Sequence, residues 1–395
     1  MYSSRFRFAL AAGATSLGLV AAMTAAATAG PSGNHDHSHD PGVETVVAGL
    51  DGPRGVDALG NGRTLVTETD GTFSLVIEGD HHHDWSRHTG GSHDDGDDPA
   101  RLIPLGAVPG VFAPAIAKGR NGWIYILTGG AEPEAGGEPP PGSATLFRWR
   151  FGMDAPEPFA DIAAYQESDP DPDDQEGAPA DTNPFGLAAL WDGSVLVSDA
   201  AGNDLLRVDR VGNITTVARL LPRTVEVPEG LPPTDPEGNP LPPAGTPIVS
   251  EAVATSVTVG PDGYWYVGEL RGFPATPGTS QIWRIKPGSV NAVCDPEHPW
   301  NRACKRFADG FTSIVDLGAS RRSLYVVEIS KQGWLPMELG VPGAEVGAVF
   351  RVGRHGWRTE LAEGQFIQPG GVDVSDGIYV VGPVFGPGSL MKLGH

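Results

Sequence analysis

Cysteine is scarce in this 395-residue chain: Cys294 and Cys304 are the only two, and they form no Cys-x-x-Cys pair. That excludes a cysteine-rich zinc module and a scaffold built mainly on disulfides. Basic residues are few as well, 27 Lys and Arg against 49 Asp and Glu, for a formal net charge of -22. Such a charge argues against nucleic acid and anionic membrane surfaces as partners. Beyond the first 29 residues no segment reaches the 18 or more apolar residues of a membrane span. Local catalytic signatures are missing too, with no Gly-rich phosphate loop opening a helix, no Gly-x-Ser-x-Gly elbow and no His-Glu-x-x-His helix. Asp169, Asp171 and Asp173 alternate as in a calcium loop, but the Gly and distal Glu of such a loop are out of place. Catalysis by residues scattered around a ring leaves no local motif, so these absences weaken enzyme readings without removing them.

What the chain has in quantity is glycine and proline, 55 and 37 residues, and a phrase that recurs six times. Each copy runs from a small residue and an aliphatic one through alternating positions to a Gly-containing turn and a β-rich run. The copies start at Gly55-Val56, Ala115-Ile116, Gly186-Leu187, Ser256-Val257, Ser313-Ile314 and Gly371-Val372, with aliphatic anchors 60, 71, 70, 57 and 58 residues apart. Period-two alternation divides the copies into strands, four in a complete copy, and Asn61-Gly62, Asn121-Gly122, Asp262-Gly263 and Asp376-Gly377 supply hairpin turns. Four-stranded units that bury their faces only against neighbours are propeller blades. The sequence therefore predicts an all-β fold, a six-bladed β-propeller over residues 43–395. Its last copy ends after three strands, and Val43 to Val47 resembles the missing fourth. An N-terminal strand closing the last blade removes two exposed sheet edges.

Residues 1–29 read as a signal peptide: Arg5 and Arg7 precede an Ala-rich apolar stretch, and Ala27-Thr28-Ala29 fits the cleavage pattern. A retained anchor is the alternative. Export to an extracellular, periplasmic or cell-surface location suits a disulfide between Cys294 and Cys304, which would clamp a local loop. Residues 30–42 form a His/Asp-rich flexible segment, and a monomer is expected.

Strand order places the two-to-three loops and the blade-to-blade connections on one face of a propeller. The long insertions at 129–143, 165–182, 221–250, 271–279 and 330–345 all belong to that face, where loops on a rigid scaffold build binding surfaces. The second strands end there in Glu68, Asp199, Glu269 and Glu328, four carboxylates suited to Ca²⁺ or a polar ligand, or else to hydrogen bonds from their own loops. Arg54, Phe185, Thr255 and Thr312 open first strands beside the same mouth, with Arg54 as a counter-charge and Phe185 as an apolar wall. A second composition stands out: His81, His82, His83, His88 and His93 lie among aspartates in the three-to-four loop of blade one, on the opposite face. Imidazole with carboxylate suits Zn²⁺ or Cu²⁺, held weakly for want of fixed spacing.

Residues 43 to 395 resemble the ScyD/ScyE family of exported propellers. The resemblance rests on Asn183-Pro184-Phe185-Gly186-Leu187, on Leu196-Val197-Ser198-Asp199-Ala200 with Gly202-Asn203-Asp204-Leu205-Leu206-Arg207-Val208-Asp209, on Thr255-Ser256-Val257 through Gly268-Glu269-Leu270, and on Gly272-Phe273-Pro274 and Phe311-Thr312. It implies a six-bladed, NHL-like propeller outside the cytoplasm and no defined chemistry. The expected function is binding or scaffolding, with a small polar molecule, glycan, cation or protein held at the looped acidic face. The alternative is a metal-dependent lactonase-like hydrolase or a sugar-dehydrogenase-like enzyme on the same fold. Against the lactonase pattern, the first-strand openings here read Arg54, Pro114, Phe185, Thr255, Thr312 and Gly370.

Overall fold

The computed structural model describes residues 42–79, 99–110, 112–131, 139–236 and 238–394. The expected signal peptide, nearly all of the 30–42 segment and the whole histidine cluster from His81 to His93 lie outside the described residues.

Six four-stranded antiparallel units follow one another along the chain, and the fold is a six-bladed β-propeller. In blade three the strands run from the axis outward as Pro184–Ala189, Val195–Asp199, Asp204–Val208 and Ile214–Leu220. The second strands Ile124–Leu127, Val195–Asp199, Trp265–Glu269, Leu324–Glu328 and Ile378–Gly382 are buried at every position. Each opens on an apolar run because neighbouring blades cover both of its faces. Outer strands are less buried, as in Arg101–Ala107, where every position is exposed or half-buried because one face meets solvent. Apolar clusters between blades join the ring, for example Tyr125, Leu127 and Leu146 of blade two with Val195, Val197 and Leu206 of blade three.

Closure follows the sequence. Val43–Asp51 pairs antiparallel with Pro387–Leu393 as the outer strand of blade six, in the order outer, third, second, first. Its length exceeds the five residues expected, and Leu50, 1% exposed, is its anchor in the cluster between blades six and one. Three aspartates on innermost strands tie blades together. Asp316 accepts from Val372 N at 2.8 Å, Asp373 from Ala58 N at 2.8 Å and Asp57 from Lys118 N at 2.5 Å. Each carboxylate thereby satisfies a backbone N–H of the next blade that no ladder reaches.

The looped face carries more structure than a reading of connections predicts. Helix α1 (Ile162–Ser168) opens the connection from blade two to three, with Asp161 accepting from Ala164 N at its N-cap. Helix α2 (Trp334–Glu338) lies in the two-to-three loop of blade five. The 221–250 connection folds into a hairpin of Arg223–Glu226 and Pro247–Ser250. Ala292–Cys294 adds a parallel fifth strand to blade three, and the Cys294–Cys304 disulfide ties it to the outer strand of blade four.

Candidate functional site

The mouth of the ring on the looped face is plugged. Arg54, 6% exposed, donates from Nε to Ala113 O at 2.7 Å and from Nη1 to Phe185 O at 2.8 Å, so one guanidinium bridges blades one and three. Its Cζ lies 4.1 Å from the Phe185 ring centroid and 5.4 Å from that of Phe112. Burial lowers its pKa to about 10, which leaves it charged at neutral pH. Val253, Trp334, Leu335, Phe366 and Val384 extend the same apolar cluster around Phe185. Phe185 thus packs within a plug and Arg54 donates to carbonyls, with no carboxylate among the described residues ion-paired to it; both also line a small pocket of about 110 Å³ with Phe112, Thr128 and Asn183.

The four strand-end carboxylates do not converge. Glu68 accepts from Asp51 N at 2.9 Å and Glu328 from Thr312 N at 2.7 Å. Glu269 is fully buried, ion-paired to Arg271, and accepts from Trp283 Nε1 at 2.5 Å. Asp199 accepts from Asn183 N at 2.7 Å, from Ala201 and Gly202 N, and from the Thr182 hydroxyl. Asp199, Glu269 and Glu328 thus serve their own blade or the connection leading into it, and Glu68 ties blade one to the closing strand of blade six, the physical reason being that strand ends beside tight loops present unpaired amides within reach. Thr255 and Thr312 tie blades four and five together: Thr255 Oγ1 donates to Ile314 O at 2.6 Å, and Thr312 Oγ1 accepts from Gly278 N at 3.0 Å. Among the described residues no three His, Cys, Asp or Glu are grouped to hold a metal ion. The acidic-ring Ca²⁺ expectation thus finds no coordinating set there.

Beneath the plug runs a narrow axial cavity of about 180 Å³, lined by Asp57, Asp316, Asp373 and Lys118. Burial raises Asp316 to about 6, and burial with the charge of Asp57 pushes Asp373 well above the carboxylate range. These groups hold blades together, as their amide partners show.

The open site lies off the axis. A cleft of about 460 Å³ is walled by Gly130, Ala131 and residues 139–145, by α1 and residues 174–183, and by Ala200, Ala201, Glu251 and Val253. Asp161, Glu167, Asp174, Glu176, Asp181 and Glu251 face it, and among the described residues no Lys, Arg or His lines it. The Asp/Pro run that composition alone allows to be disordered is ordered here. Asp174 accepts from Gly177 N at 2.6 Å and Ala178 N at 3.0 Å, Asp171 accepts from Asn203 Nδ2 at 3.0 Å, and Glu251 accepts from Gln175 N at 2.7 Å. Burial raises the pKa values of Asp171 and Glu251.

Asp199 shapes the floor of this cleft rather than lining it, because Thr182, Asn183 and Ala201, its partners, all line it. Behind that floor Gln166 of α1 donates from Nε2 to Asp199 and to Asp204, each at 3.3 Å. Burial, and then the charge of Asp199, raises Asp204 well above the usual carboxylate range. Gly202 permits this approach, since a Cβ there would stand 2.3 Å from Gln166 Nε2. Sequence reasoning named Asp199 but missed Gln166, Asp204 and Glu251. The only available signal was the tight Asp199-Ala200-Ala201-Gly202-Asn203-Asp204 hairpin.

No protein-family model and no curated protein matches the chain. Among solved structures it is similar to a glucose dehydrogenase at TM-score 0.53 and 14% identity, over 90% of this chain and 100% of that one. A second glucose dehydrogenase matches at TM-score 0.52 and 14% identity, over 90% and 99% of the two chains. A protein of unknown function from Bacteroides thetaiotaomicron matches at TM-score 0.50 and 10% identity, over 89% of this chain and 75% of that one. Identities this low establish the shared propeller fold alone.

Proposed function

We propose that the protein is an exported binding propeller of the ScyD/ScyE kind, whose looped face takes a small polar ligand bearing a positive charge. The observation that carries the reading is the cleft beside α1, where among the described residues six carboxylates and no basic side chain line about 460 Å³. Uncompensated negative charge in a concave site favours a cation over a neutral or anionic solute. An amine suits it better than a bare divalent ion, because most of these carboxylates already accept amide hydrogens and are spread around the walls. The sugar-dehydrogenase alternative keeps only the common fold as support.

Calorimetric titration with spermidine and glucosamine, using N-acetylglucosamine as the neutral control, tests this. Both amines are expected to bind and the control to fail. A Glu167→Gln/Glu251→Gln double variant, which preserves shape and the acceptor for Gln175 N, should weaken both amines at least fivefold. Equal binding of the control, or unchanged affinity in the double variant, sinks the reading.

A further inference from the structure

The opposite face has the reverse chemistry. One-to-two and three-to-four turns meet there, and between blades four and five they enclose a groove of about 720 Å³. Arg284, Lys305, Arg306, Arg322, Arg354 and His355 line it against a single acid, Asp262. A shallower continuation adds Arg321 and Arg351 and no carboxylate. In a chain of net charge -22 this is a marked local excess of positive charge. Some of the cations are already engaged, Arg284 with Asp262 at 2.7 Å and Arg306 with Asp309 at 3.2 Å. Lys305, Arg321, Arg322, Arg351 and Arg354 are exposed and form no ion pair among the described residues. Side chains of that kind repel one another unless an anion sits between them.

An aromatic platform completes the groove. Trp300 lines it at 73% exposure, with the Lys305 ammonium 5.0 Å from its ring centroid. Its loop is short and fixed: the Cys294–Cys304 disulfide closes its base, Trp300 bridges to Lys305, and Arg306 N donates to Pro299 O at 2.9 Å. A rigid, solvent-facing indole beside unpaired guanidinium groups has the chemistry to stack on the C–H face of a sugar ring while the guanidinium forks bind its acidic substituents.

We propose that this groove binds a short anionic oligosaccharide carrying carboxylate or sulfate groups. Its volume of about 720 Å³ favours a few sugar rings over a long polyanion. A nucleic-acid strand extending past the groove would run onto a molecule whose remaining surface is strongly acidic. The two faces then hold ligands of opposite charge.

The test measures binding of the full mature protein to four probes at low and physiological salt: oligogalacturonate, a sulfated oligosaccharide, neutral maltohexaose and a dT oligonucleotide of similar charge. At least one anionic sugar should bind tenfold or more tightly than maltohexaose and the oligonucleotide. The Arg322→Ala/Arg354→Ala variant should lose at least tenfold for that sugar. Trp300→Ala should weaken the sugar but leave inorganic sulfate unaffected. All three substituted residues are exposed, so folding is expected to survive, and unchanged melting in each variant checks this. Binding of the oligonucleotide as tight as that of the sugars overturns the proposal, as does equal binding of maltohexaose or wild-type affinity in the variants. Because the Glu167→Gln/Glu251→Gln substitutions lie on the other face, they should leave the anionic sugar unaffected, and the two readings fail separately.

Discussion

A single buried carboxyl shows how local chemistry sets the pH response. Glu328 is buried and accepts from Thr312 N, yet burial still raises its pKa from 4.5 to about 7. A raised carboxyl contributes its full stability below the unfolded pKa and loses it as pH climbs through the folded one. Glu328→Gln keeps the acceptor and cannot ionise, so it should match wild type near pH 4 and exceed it at pH 8. The gap should approach about 3 kcal/mol at most, by the usual conversion of pKa to free energy. Urea titrations at the two pH values check this, and a gap that does not change with pH refutes it. The buried pair in blade four behaves differently, because neither partner can leave without stranding the other. Arg271→Met leaves the Glu269 carboxylate buried with Trp283 and Gln281, and should cost about 3–5 kcal/mol. Adding Glu269→Gln should recover much of the loss, and an additive double variant would show that the pair is not coupled.

Strands were legible in the sequence to the extent that their pattern depends on burial alone. Alternation and turn residues located all six copies, and the truncated last copy announced that Val43 to Val47 closes blade six, where the strand runs on to Asp51. Leu50 lies near one end of the described chain yet anchors that closure, so Leu50→Ala should cost about 2–4 kcal/mol, as a core deletion does. Thermal unfolding of this variant should stay a single transition at a lower midpoint; a midpoint within a degree of wild type would mean the closing strand adds little. The ends of the second strands were legible as positions but not as functions. Whether Asp199 meets a ligand or Asn183 N depends on where a loop 16 residues away returns, which no local pattern encodes. Helix α1 escaped because seven residues give less than two turns of periodicity, and its cap and Gln166 contacts exist only in three dimensions. Gly55-Val56-Asp57 and Gly371-Val372-Asp373 repeat the blade-tying aspartate openly, but a carboxylate on an inner strand reads equally as a ligand until its amide partner is seen.

Across the whole molecule, charge is sorted by face, and this decides how it responds to ions. The looped face gathers acids around its cleft, the underside gathers between blades four and five arginines of which several form no ion pair among the described residues, and the net excess remains negative. An acidic looped face was legible in the sequence, whereas the basic groove was not, because Lys305, Arg322 and Arg354 come from separate strands and turns. Like charges crowded on a compact body repel, and screening relieves that repulsion, so the melting temperature should rise as NaCl increases from 10 mM to a few hundred millimolar. Divalent cations discriminate screening from coordination. Since no three acids among the described residues are grouped for a metal, CaCl₂ and MgCl₂ should raise the melting temperature alike. A Ca²⁺ site would instead add a shift that saturates with its own affinity, by the linkage of binding to folding. A scanning calorimetry series with the two salts, at equal concentration and matched ionic strength, separates these outcomes. Coincident curves are expected, and a calcium-specific rise of several degrees would mean that carboxylates spread here among separate blades gather around the ion.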